Sequence, residues 1–248
     1  MSYEIVTVAT HKEFKFEELI NNKFEKITVL GMGQKWTGYK MKSQLVYDYI
    51  KNMDDNKIII FLDGFDSVIQ NDPKKAIEIF KEGNYKFLIS KDINNGFNRY
   101  TGHFIFPHCK NNMVASCGMY MGYVKYLKQI CESSFTKKCK DDQVILNKMC
   151  KDFDFIDIDE NKEIFFNVNN VFPEEPNKDA IFVSYPGNLN LKRMYRGIFD
   201  YSQFNINKIS FIIALIFCFL VYRKFIVPAF ILLIIYILFI LSIDFSCV

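Results

Sequence analysis

The chain carries no Cys-x-x-Cys pair, no Asn-x-Ser/Thr sequon and no histidine after His108. Each absence narrows the chemistry. Seven cysteines, an odd number at no metal-like spacing, exclude a cysteine zinc site as the organising feature and imply reduced thiols. The missing sequon, and an opening Met1-Ser-Tyr-Glu-Ile-Val without a basic region ahead of a long apolar one, point to a domain on the cytosolic side. The net charge is only +3 and no basic stripe is interleaved with aromatics, which argues against nucleic acid as a partner. His103 and His108 fall in a polar, Asn-rich stretch at 91–110 with no second ligand nearby, and are read as loop residues. Glycine is sparse, 11 in 248 residues, so three within Gly31-Met-Gly-Gln-Lys-Trp-Thr-Gly38 mark a tight turn able to approach a ligand closely. The only tryptophan sits among them. Trp36 either stacks on a base or sugar or closes the core beneath the loop.

The chain is organised around Lys57-Ile-Ile-Ile-Phe-Leu-Asp-Gly-Phe-Asp66. Ile58 to Leu62 has no polar alternation and is rich in β-branched residues, so it reads as a central strand covered on both faces. Asp63 and Asp66 then leave its carboxyl end, the edge where open α/β sheets bind ligands. Two carboxylates separated by a tight turn suit a hard divalent cation and hence a diphosphate, or else they simply cap the turn. Further strands are expected at 4–10, 27–30, 86–90, 155–159, 163–167 and 180–188. Helices are expected at 14–24, 40–50, 73–82, 124–133 and 144–150. Ser116-Cys-Gly118 is expected to form a small-residue turn before an apolar strand. Lys42, near the start of its helix, either reaches a phosphate or is a solvated charge. Asp141 and Asp142 stand at a helix N-terminus, where the dipole favours carboxylates and capping alone would account for them.

Taken in order, Val6-Thr-Val-Ala-Thr10, Val29 to Gly38, Phe61-Leu-Asp-Gly-Phe-Asp66, Cys117-Gly-Met-Tyr-Met-Gly122, Asp141-Asp-Gln143 and Ile158 to Asn167 resemble the glycosyltransferase domain of procollagen lysyl hydroxylases and the related collagen galactosyltransferases. The resemblance covers residues 3–197. It implies a GT-A fold, a Rossmann-like α/β nucleotide-sugar-binding domain with a mixed central sheet, using Mn²⁺ or Mg²⁺ and a UDP-sugar donor. It further implies Asp63 and Asp66 as metal ligands, and Asp141 and Asp142 as the catalytic acidic pair near the sugar and acceptor. Thr10, Trp36, Lys42, Phe65, Gly118 and Gly187 would lie against the nucleotide sugar. The expected reaction moves a hexose from UDP-glucose or UDP-galactose to a hydroxyl acceptor such as a hydroxylysine of a collagen-like protein. The alternative is a catalytically degenerate relative kept for binding or scaffolding. One departure stands out: the family's late His-Gly-Asn turn corresponds to Ser184-Tyr-Pro-Gly-Asn188, without the imidazole.

After Lys208 the composition changes. Ile209–Tyr222 is an apolar run of fourteen residues, Arg223-Lys224 interrupt it, and Phe225–Ile243 adds nineteen. A span needs about 20 apolar residues, so the expectation is a domain over 1–206 and a transmembrane anchor over 207–248 of one or two helices. Lys192, Arg193, Arg196 and Lys208 precede the first run and favour a cytosol-facing domain with membrane lipid as a second partner. The abundance of Ile, Asn, Lys and Phe is that of an AT-rich coding sequence, as in large DNA viruses and protists, so that membrane would belong to a host cell or a virion.

Overall fold

The computed structural model describes residues 2–92, 108–137, 141–168, 175–186, 205–223, 225 and 227–234. The chain divides into two units, Met1–Gly187 and Asn188–Ser246. In the first, β1 (Tyr3–Val8), β2 (Ile27–Leu30), β3 (Ile58–Leu62), β5 (Phe87–Lys91), β6 (Ala115–Tyr123) and β7 (Ile156–Asp159) form one sheet in the order β2-β1-β3-β6-β5-β7. β1 pairs parallel with β2 and β3, and β5 parallel with β7, while β6 runs antiparallel between β3 and β5. The sheet is mixed. A second sheet holds β4 (Ser67–Ile69), β9 (Phe182–Ser184) and β8 (Phe165–Asn167), in that order.

All five residues of β3 are buried, as its uninterrupted apolar run requires. Successive side chains leave opposite faces, and the core divides accordingly. Ile59 and Phe61 join a cluster with α2 (Lys40–Ile50), α4 (Val124–Thr136) and α5 (Asp142–Asp152). Ile58, Ile60 and Leu62 join another with α1 (Phe16–Ile20), α3 (Pro73–Glu82) and the second sheet. The start of α3 follows its sequence closely: Asp72 accepts from Lys74 N at 3.0 Å, and Pro73 occupies the first helical turn.

Four expectations change. The helix expected at 14–24 shrinks to Phe16–Ile20. Phe14 stands at φ +47, and Asn22 Oδ1 accepts from Phe24 N and Glu25 N, both at 2.9 Å, offering the backbone a turn instead of a further helical turn. Ser116-Cys-Gly118 lies inside β6 and does not precede it. Ser116 pairs with Ser90 and Tyr120 with Ile89, so residues 117–119 bulge against β5. The cysteines are not all reduced: Cys109 and Cys150, 41 residues apart, form a disulfide with a Cα–Cα distance of 4.9 Å. Sequence spacing carries no trace of this pair, because the fold alone brings Cys109 beside α5. Cys117 and Cys131 are free.

The fourth change concerns the second unit. Among the described residues no helix is long and apolar enough to cross a membrane. The first apolar run falls in α6 (Asn205–Tyr222), and its fourteen residues rise about 21 Å against a hydrocarbon core of about 30 Å. Most of the run at 225–243 lies outside the described residues.

β6 and α5 are joined by one fully buried side chain. Asn147 accepts from Ala115 N and donates to Ala115 O and Gln143 O, each at 2.8 Å. Asn147→Ala strands the Ala115 amide and carbonyl in the core. It is expected to lower unfolding stability by about 2–4 kcal/mol, read as a lower urea midpoint.

Candidate active site

The chain must leave the sheet after Leu62, and its turn is pressed against β1. A Cβ on Gly64 would lie 2.7 Å from Val8 O and 3.0 Å from Thr7 Oγ1, so only glycine passes here. The acids on either side are fixed by neighbours. Asp63 N donates to Gly118 O at 2.8 Å, across to the β6 bulge. Asp66 O accepts from Tyr185 N at 2.8 Å, and Asp66 Oδ1 accepts from the Ser184 hydroxyl at 3.2 Å, so the end of β9 closes the other side.

Lys42 rises from the first turn of α2 into this edge. Its Nζ lies 2.9 Å from Asp142 Oδ2 and 3.4 Å from Asp63 Oδ2, and 5.6 Å above the Phe61 ring. With its side chain only 13 % exposed, the solvated-surface alternative is excluded. Burial works against the ammonium, yet the carboxylates of Asp142 and Asp63 outweigh it and hold Lys42 protonated well above the ordinary lysine range. Asp142 Oδ2 is buried with no hydrogen-bond partner, so its contact with Lys42 is ionic. Burial, then the charge of Asp142, push the Cys117 thiol far up, which keeps it neutral.

Asp141 does different work. Its carboxylate accepts from Val144 N at 3.0 Å and caps α5, and burial raises its pKa despite that bond. The two adjacent acids thus separate: Asp141 holds the helix end while Asp142 faces Lys42.

The glycine loop borders the same edge. Gly31, Gly33 and Gly38 take φ of +81°, +78° and +122°, and Gly33 N donates to Thr10 O at 2.9 Å, tying the loop to the end of β1. Trp36 is 42 % exposed, with its ring edge-on to Tyr39 at 5.9 Å, so it does not close the core. His11 connects two expected residues: Nδ1 is 3.0 Å from Thr10 Oγ1, and its ring centroid is 4.9 Å from that of half-buried Phe65. Gly118 stands beside Asp63, its constructed Cβ 3.9 Å from the Asp63 Cβ. Gly187 lies outside the described residues.

The structure therefore gathers Lys42, Asp63, Asp142 and Gly118, with Asp66 on the same turn and Thr10 and Phe65 adjoining through His11. Sequence reasoning missed Cys117, His11 and Ser184 as neighbours. Cys117 had a signal in its small-residue segment, and Ser184 in the late turn that the resemblance aligns with the family's His-Gly-Asn. Among the described residues no three of His, Cys, Asp and Glu are grouped to hold a metal ion. Carboxylate oxygens at Asp63 and Asp66 are nonetheless the donors that Mg²⁺ and Mn²⁺ prefer, provided diphosphate and water complete the shell.

A cavity of about 270 Å³ opens elsewhere, lined among others by Tyr85, Lys110, Asn111, Asp157, Asp159 and Glu160. Its acids are engaged: Asp157 with Lys110 at 3.0 Å, Glu160 with Asn111 at 2.8 Å, and Asp159 with three backbone amides. A smaller one, about 50 Å³, lies beneath the site and is lined by Lys42, Cys117, Tyr120, Cys131 and Asp142 among others.

The family model described as the PLOD GT domain matches residues 2–178. No curated protein sequence matches the chain. Among solved structures, a glycosyltransferase involved in the glycosylation of the major capsid of PBCV-1 is similar at 12 % identity, covering 79 % of this chain and 98 % of that one with a TM-score of 0.48. A protein from STIV is similar at 12 % identity, covering 61 % and 78 % with a TM-score of 0.39.

Asp141 yields a pH prediction. Its folded pKa lies above the unfolded 3.8, so the folded state binds the extra proton and stability falls as pH rises from 3.8 through the raised value. Asp141→Asn keeps the cap without the charge. It should be more stable than the parent at neutral pH and converge with it near pH 3, whereas Asp141→Ala loses about 1 kcal/mol of capping. Thermal melts across that range check both.

Proposed function

The chain belongs to the PLOD glycosyltransferase-domain family, and from that premise we propose that it transfers a hexose, glucose or galactose, from a UDP-sugar to a hydroxyl acceptor such as a hydroxylysine-type side chain. The observation that carries this reading is the convergence of Lys42, Asp63 and Asp142 at the carboxyl edge of β3, with a glycine loop tied alongside. Asp63 and Asp66 would hold Mn²⁺ or Mg²⁺, which when bound neutralises charge building on the departing UDP. Phe65, steadied by the His11 ring, offers a face for the uracil, and exposed Trp36 offers a second aromatic surface at the rim. Lys42 turns its ammonium to the diphosphate, and Asp142, freed from it, meets the acceptor side. Asp141 acts through Asp142 by fixing the first turn of α5.

A single observation favours the degenerate alternative, binding without turnover: the imidazole of the family's late turn is replaced in a segment where Ser184 donates to Asp66. Mn²⁺-dependent UDP-sugar hydrolysis separates the two. The parent should turn over, and Asp63→Ala or Asp66→Ala should lower the rate by at least about 100-fold with the fold intact by circular dichroism. A parent that binds UDP but never hydrolyses the sugar supports the degenerate reading.

Membrane lipid is proposed as a second partner. Leu215, Ile216, Phe219, Val227, Phe230 and Ile234 are exposed, and cationic Lys208 and Arg223 flank the first apolar run. The full chain should float with anionic vesicles, and Phe219→Glu with Phe230→Glu should abolish flotation.

A further inference from the structure

One face of α5 carries Gln143, Asn147 and Cys150 at i, i+4 and i+7, and each is fastened to a different point between the end of β5 and the start of β6. Gln143 Nε2 donates to Asp92 Oδ2 at 2.8 Å, Asn147 brackets Ala115, and Cys150 is bonded to Cys109. Asp92 and Cys109 stand on either side of residues 93–107, and Ala115 opens the strand whose bulge supports Asp63. The helix that presents Asp142 to Lys42 is thus tied directly to β6 through Asn147, and through Gln143 and Cys150 to the residue after β5 and the segment before β6, the last tie being covalent.

The Cys109 segment is also tied by backbone hydrogen bonds, Cys109 N to Met113 O and Met113 N to Lys110 O, both at 2.8 Å, and by side chains. Lys110 Nζ donates to Asp154 O at 2.8 Å and Asp157 Oδ1 at 3.0 Å, and Asn111 donates to Glu160 Oε1 at 2.8 Å. The contacts to Asp154 O and Glu160 are solvent-exposed and contribute little, while the Lys110–Asp157 pair is part-buried. Asn111 and Asn112 sit at φ +50° and +57°, a left-handed turn that asparagine adopts more readily than other residues with a side chain.

We propose that the Cys109–Cys150 disulfide is a redox-controlled brace: oxidised, it holds α5 and its acidic first turn on β6; reduced, it lets that turn move away from Asp63. The site is then complete only in an oxidising compartment, opposite to the cytosolic side expected from the sequence. Reduction breaks the S–S bond with two electrons from a dithiol. The dithiol closes to its own cyclic disulfide, and its two protons end on the Cys109 and Cys150 thiols. Only the catalytic readout rests on the transferase reading above.

The test uses the full chain purified without reductant. A non-reducing digest should contain the peptide linking Cys109 to Cys150, and dithiothreitol should abolish it. Reduction should lower the melting temperature by roughly 5–15 °C. It should speed amide exchange in the first turn of α5, and slow UDP-sugar turnover roughly tenfold or more through misplacement of Asp142. Removing the reductant should restore all three. Cys109→Ala should mimic the reduced state and ignore dithiothreitol; where that variant fails to fold, the reversible cycle on the parent decides. Absence of the linked peptide, or unchanged exchange at 142–145 after reduction, overturns the proposal. A parent without any turnover, but with the exchange change, sinks the transferase reading and leaves the brace standing.

Discussion

The buried ammonium of Lys42 between Asp63 and Asp142 is the contact on which the rest of the edge depends. Each partner comes from a different element, α2, the end of β3 and the start of α5, so the pairing fixes the mutual position of all three. Charges taken out of water are costly unless matched, and here two carboxylates share one ammonium. Withdrawing the cation would leave two like charges in a low-dielectric pocket, far worse than never having buried any of the three. The geometry therefore holds as long as α2 and α5 stay docked on the sheet.

Docking rests on apolar packing away from the site, and for α5 also on its ties to Asp92, Ala115 and Cys109. Val46 and Ile50 of α2, and Val144, Ile145 and Met149 of α5, belong to the same cluster as Ile59 and Phe61 of β3. That cluster carries the stability, leaving the carboxyl edge free to accumulate charge, a glycine that tolerates no side chain, and a bulge whose carbonyl holds the Asp63 amide. Polar strain and apolar stability are separated along one strand, with Leu62 the last residue of one regime and Asp63 the first of the other.

How much of this was legible depends on the range of the interaction. β3, α2 and the Asp72-Pro73 start of α3 are local events, set by an apolar run, a helical period and a cap, and the sequence displays each of them. The position of Asp63 and Asp66 at a strand end follows from the same local reading. What joins them to anything else does not. Nothing in residues 40–50 says that Lys42 points inward, because a lysine near a helix start has the same pattern whether it meets water or two acids. Cys109 and Cys150 are separated by a strand and most of two helices, and the β6 bulge is defined by its register against β5, not by composition. Asn22 was legible in principle, since an asparagine two residues past a helical turn competes for the backbone. The apolar face of the expected longer helix outweighed it in the sequence reading. The resemblance to a known family supplied Lys42 and Asp142 as site residues, but not their contact.

That contact also bears on how a nucleotide would enter. Among the described residues, Asp63, Asp66 and Asp142 bring three carboxylates to the edge and Lys42 one ammonium. In the proposed transferase a diphosphate would meet these carboxylates, and Lys42 would not neutralise both its acids and the phosphates at once. Either the ammonium would leave Asp142 for the ligand, exposing a carboxylate whose Oδ2 has no hydrogen-bond partner of its own, or Asp63 would pass to a divalent cation accompanying the diphosphate. The two events would reinforce each other: Asp63, engaged by a cation, would hold Lys42 less tightly, and with Lys42 turned to phosphate Asp63 would be the more attractive to a cation. In the proposed transferase, joint entry of nucleotide and metal would leave the fewest uncompensated charges, and Asp142 would become available on the acceptor side only once the donor is in place.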